Sequence, residues 1–92
     1  MNLMMMKSRV EDLRYCEKVL INEREKLEKK LFRYRERIET DNYLSEKQFG
    51  KLLLKSDAIT DEIESLTVGI RFVTEEIKMW QYHVRMASDE NE

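Results

Sequence analysis

Ile59-Thr60-Asp61-Glu62-Ile63-Glu64-Ser65-Leu66-Thr67-Val68-Gly69-Ile70-Arg71-Phe72-Val73-Thr74-Glu75-Glu76-Ile77-Lys78-Met79-Trp80 carries the pattern from which the fold is read. Ile59, Ile63, Leu66, Ile70, Val73, Ile77 and Trp80 recur at alternating spacings of four and three. That is the heptad period of a helix whose apolar stripe packs along another helix. The pattern reaches back to Leu52 and forward to Val84 and Ala87, with Ser56 as its one polar member. No proline interrupts it.

Upstream, Leu3, Met6, Val10, Leu13, Leu20, Leu27, Leu31, Tyr34 and Ile38 form a second heptad stripe, with the charged Glu17 and Arg24 at two of its core positions. Between the stripes, Glu39-Thr40-Asp41-Asn42-Tyr43-Leu44 reads as a turn, because the Thr, Asp and Asn side chains bond their own backbone. Ser45-Glu46-Lys47-Gln48 fits a capping box: the Ser45 hydroxyl accepts from the Gln48 N–H, and the Gln48 side chain reaches back. The sequence predicts one domain over 1–92, with a helix over about 4–39, a turn at about 40–45 and a helix over about 46–87. An acidic tail at about 88–92 is expected to fray. Gly50 weakens the start of the second helix by about 1 kcal/mol relative to alanine, which leaves open whether that helix kinks or forms a short separate helix over 46–56.

A short link between long amphipathic helices predicts an all-α, antiparallel, coiled-coil-like hairpin. Two alignments satisfy the heptads. One pairs Tyr34 with Phe49, Leu31 with Leu52 and Leu13 with Ile70. The other pairs Leu31 with Ile59, Leu13 with Ile77 and Val10 with Trp80. The first centres the turn on its turn-forming residues and is the expected one.

Composition narrows the function. The chain has 92 residues, 39% of them charged, and a formal net charge of −2. The charge is uneven: residues 1–25 are net 0, residues 26–55 net +4 and residues 56–92 net −6. Cys16 is the single cysteine and His83 the single histidine, too few for a zinc site of four such ligands. Cys16 is expected to be a small buried filler and His83 a partly exposed helix residue. One cysteine, no membrane-length apolar run and no basic-then-apolar leader predict a cytoplasmic protein without disulfides or a membrane anchor. No glycine-rich phosphate loop or catalytic constellation is present, so no cofactor, small-molecule ligand or enzymatic activity is expected. Some all-helical enzymes of this length, chorismate mutases among them, build a pocket from inward arginines. Here Arg24 is the only candidate for that role.

The apolar residues outnumber the seam positions. Val68, Phe72, Met79, Tyr82 and Met86 lie away from the stripe on the second helix, and Tyr15 and Val19 lie beside or behind it on the first, with Met4, Met5, Cys16 and Ile21 nearby. An antiparallel hairpin gathers both groups at the end far from the turn. Such a surface on a chain this small predicts a protein–protein interface. We expect a homodimer, with two hairpins forming a four-helix bundle, and an adaptor, assembly-factor or inhibitor role toward an unidentified protein.

An alternative comes from the turn-proximal half. Lys26, Lys30, Arg33 and Arg37 line one helix at spacings of four, three and four, with Arg35 nearby, while Lys47, Lys51 and Lys55 line the other at spacings of four. These could meet an anionic partner such as nucleic acid, although rows of this kind are more often a solvated flank. A small helical subunit of a multi-chain enzyme fits the same pattern. Leu52-Leu53-Leu54-Lys55-Ser56-Asp57-Ala58-Ile59 resembles a stretch of the BAG module of helical co-chaperones. The resemblance covers under a tenth of the chain, and the helix break that often follows in that module is missing here, so it implies no function.

Overall fold

The computed structural model describes residues 1–90 of the chain. It consists of α1 (Leu3–Thr40) and α2 (Glu46–Glu90), arranged as an antiparallel all-α hairpin with no strand among the described residues. Asn2 starts α1: its side-chain oxygen accepts from the Met5 N–H at 2.9 Å, satisfying one of the donors a helix leaves open at its N-terminus. α1 ends where Thr40 turns its hydroxyl onto the Glu36 carbonyl, 2.7 Å away. Asp41 then accepts from the Tyr43 N–H at 3.0 Å, the Asx turn that its short carboxylate favours. The expected capping box starts α2, with Gln48 N–H donating to Ser45 Oγ at 3.2 Å and Ser45 N–H to Gln48 Oε1 at 3.0 Å.

One open point is answered and one boundary expectation is corrected. α2 runs unbroken from Glu46, so Gly50 introduces no kink or separate helix. A Cβ built at Gly50 meets nothing within 4 Å, so the glycine answers no packing demand and its backbone freedom is absorbed by the cooperative helix. Residues 88–90, expected to fray, are helical, while residues 91 and 92 lie outside the described residues.

The chain divides into two compact units. The turn unit, Asn22–Thr67, holds the C-terminal part of α1, the turn and the first part of α2. Its seam buries Leu31, Leu52, Ser56 and Ile59. Ser56 is the one buried polar residue of that seam. Its hydroxyl is buried without a hydrogen-bond partner.

The terminal unit, Met1–Ile21 with Val68–Glu92, buries Val10, Leu13, Ile70 and Ile77. Val10, Leu13 and Ile77 form one cluster, against which Val73, Trp80 and Val84 pack.

That cluster decides the alignment against the expected one: Leu13 meets Ile77, and Ile70 is buried elsewhere. Overlap of the two apolar stripes is the physical reason. The expected alignment would carry Val84 and Ala87 past the start of α1. The observed one gives Trp80 and Val84 partners, and each apolar side chain taken from water is worth about 1.5–3 kcal/mol when fully buried. Phe49 is what this sacrifices: it is left 41% exposed instead of meeting Tyr34.

The two charged core positions are answered in the same way within their own units. In the terminal unit, Thr74 donates its hydroxyl to Glu17 Oε2 at 2.6 Å. In the turn unit, Arg24 donates through Nη1 to Thr67 Oγ1 at 3.4 Å, while Thr67 itself donates to the Ile63 carbonyl at 2.8 Å. Arg24 Nε lies 3.5 Å from Glu28 Oε1, an ion pair without hydrogen-bond alignment. Both charges therefore stay at the edge of the seam, with their stems covering apolar surface.

Candidate interaction surface

α2 has two apolar faces in the terminal unit. A helix advances about 100° per residue, so Val68, Phe72, Met79, Tyr82 and Met86 fall within an arc of about 80°. By the same count, that arc is centred about 180° from Ile70 and Ile77, the buried seam residues. The outer stripe is open: Val68, Phe72 and Tyr82 are more than half exposed, and Met79 and Met86 slightly less. Its spacings are four, seven, three and four, and Glu75 occupies the position that would complete the heptad. The outer face thus repeats the period of the inner one, with nothing packed over it among the described residues.

On α1, Tyr15 (71% exposed) and Val19 (41%) do not extend that stripe. They line a shallow groove with Cys16, Leu20 and Val73. The groove borders the seam, where α1 packs closely enough that a Cβ on Gly69 would touch Leu20 Cδ1 at 3.8 Å. Cys16 is exposed in this groove, so its expected role as a buried filler is corrected. It occupies a flanking heptad position, which the seam covers only on one side. The sequence-identified surface is therefore two surfaces: a groove beside the seam on α1 and a stripe on the outer side of α2. Edge-to-face contacts of His83 with Trp80 (5.6 Å) and Tyr82 (5.8 Å) lie on α2 beside the stripe, a geometry favoured by ring quadrupoles.

The sequence reading did not single out the edge of the stripe. Arg71, Lys78 and Arg85 recur every seven residues along one side of it, and all three are exposed. Lys78 pairs with Glu75 at 3.4 Å. Arg71 and Arg85 have no carboxylate within 4 Å among the described residues. The seven-residue spacing was the available signal, hidden because the acidic total of residues 56–92 masks a local basic row.

In the turn unit, Lys26, Lys30, Arg33, Arg35, Arg37, Lys47, Lys51 and Lys55 are all exposed. Lys26 pairs with Glu23 at 3.5 Å and Arg37 with Asp41 at 3.7 Å. Lys30 sits 6.0 Å from the Tyr34 ring centroid. This unit has ten basic and eleven acidic residues, so its basic rows are embedded in an acidic background. Phe32 is 67% exposed but stands over a shallow groove lined by Glu25, Glu28, Lys29 and Arg33, with both charge signs present. No helix is long and apolar enough to cross a membrane, and no cluster of three His, Cys, Asp or Glu is placed to hold a metal, among the described residues.

No protein-family model, curated protein or solved structure matches the chain.

Proposed function

We propose that this protein is a non-enzymatic interaction module that works through the outer face of α2 in the terminal unit. Its role is that of an adaptor, an assembly factor or a stoichiometric inhibitor. The observation that carries the reading is the second heptad stripe, Val68 to Met86, exposed on the side of the helix opposite the seam. An apolar stripe of helical period on a charged, water-exposed helix costs solubility unless a partner covers it. The methionines among its members suit a contact that must adapt its shape. A single cysteine and a fold without disulfides are consistent with a reducing compartment such as the cytoplasm.

The test is light scattering after size exclusion at low salt, with absorbance read at 260 and 280 nm, on the wild type and on Phe72→Glu with Met79→Glu. Assembly, with itself or with a co-purifying protein, is expected in the wild type and lost in the variant, with helicity unchanged. An assembly that survives the double substitution would show that the face is not the contact surface. A peak with excess absorbance at 260 nm would move attention to Arg33, Arg35 and Arg37 of the turn unit and to a nucleic-acid partner.

A further inference from the structure

We infer that the outer stripe of α2 receives a heterotypic amphipathic helix that is acidic along one edge. This rests on the reading of that face as a contact surface and adds the chemistry of the occupant.

The stripe has the geometry of half a coiled-coil seam. Phe72, Met79 and Met86 recur every seven residues, and Val68, Glu75 and Tyr82 form the interleaved row. The occupant of such a seam is another helix with the same period, and the flanking positions select its charge. One flank here is Arg71, Lys78 and Arg85. The opposite flank is Gly69, Glu76 and His83. The two edges therefore differ, and the basic one reads a carboxylate row at heptad spacing.

A second copy of α2 fits poorly in either direction. Antiparallel self-pairing aligns Arg71 with the copy of Arg85 and Lys78 with its own copy, placing like charges along the whole basic edge. Parallel self-pairing relieves that edge but sets Glu75 against its own copy in the middle of the apolar stripe. Like charges placed opposite one another select against a pairing. A different helix avoids both conflicts: its acidic edge meets Arg71, Lys78 and Arg85, and it leaves Glu75 on the Lys78 ammonium, 3.4 Å away.

The experiment uses the full chain and two synthetic helical peptides with leucine at the heptad core positions. One carries glutamate on its flanks and the other lysine. Binding is followed by fluorescence anisotropy of the labelled peptides at low and high salt. We expect the glutamate peptide to bind about tenfold more tightly than the lysine peptide, as three exposed ion pairs of ordinary strength allow. That preference should shrink with salt and disappear in Arg71→Gln with Lys78→Gln and Arg85→Gln. It should persist in Lys47→Gln with Lys51→Gln and Lys55→Gln, which alters only the turn unit. Equal affinities, no saturable binding, or a preference that follows the turn-unit lysines would overturn the proposal. So would a wild-type dimer that Phe72→Glu dissociates, since a second copy would then be the occupant. Phe72→Glu separates the two readings. If it abolishes binding of both peptides and the wild type binds the two equally, the contact face stands and the acidic edge falls. If it changes neither while the protein stays helical, the contact face itself falls.

Discussion

The turn unit and the terminal unit use the same inner construction and differ in what they show to water. Each is an antiparallel pair of helical segments with four buried seam residues and one charged core position bonded to a threonine of α2. Each spans 46 residues and has a formal charge of −1. The turn unit, however, carries twenty-one charged residues against fifteen in the terminal unit. Among the described residues, five large apolar side chains are exposed in the turn unit and ten in the terminal unit. The arrangement differs too. Phe32, Tyr43, Phe49, Leu53 and Leu54 follow no common stripe, whereas Val68, Phe72, Met79, Tyr82 and Met86 share one. A seam of the same design thus needs no second apolar face, and the terminal unit has one that its own seam leaves exposed.

The largest effect that would break this comparison concerns the alignment of the terminal unit. On a Cys16→Ser background, Leu13→Cys with Ile77→Cys should cross-link under mild oxidation, while Leu13→Cys with Ile70→Cys should not, because bridged residues need Cα atoms within about 7 Å. Cross-linking of the second pair alone, read by non-reducing electrophoresis, would restore the alignment expected from the turn residues.

The equivalence of the two charged core positions is open to a smaller test. Glu17→Leu and Arg24→Leu should each stabilise the fold by about 1 kcal/mol, since an apolar residue in a seam avoids the desolvation that a charge suffers. Thermal unfolding should shift upward by roughly 4–8 °C per kcal/mol. A loss of stability in one and a gain in the other would show that the threonine bonds are unequal, with the 2.6 Å contact of Glu17 the stronger candidate. The smallest effect is expected at Ser56→Ala, which removes a buried hydroxyl without a partner. It should raise stability by about 0.5–1 kcal/mol. A decrease would mean that the hydroxyl is satisfied in solution.

Much of the molecule was legible before the structure. The two helices followed from period alone, and the Ser45–Gln48 box from residue type at fixed spacing. So did the surplus of apolar residues on α2, because a helix allows only one face at a time to meet one neighbour. Cys16 was misjudged because apolar character was taken for burial at a flanking position. Arg71, Lys78 and Arg85 escaped notice because charge was counted along the chain and not around the helix.

The sequence by itself determined the helices, their caps and the existence of two apolar faces on α2, all of which are local or periodic properties of the chain. Only the tertiary structure decided the alignment. A heptad pattern shifted by seven residues matches itself, so periodicity is blind to such a shift. The choice falls to a non-local term, how much of the two stripes overlaps, which gives Trp80 and Val84 partners. Which apolar face of α2 forms the seam was already legible in the longer stripe of Ile59 to Trp80, and the structure leaves Val68 to Met86 in water.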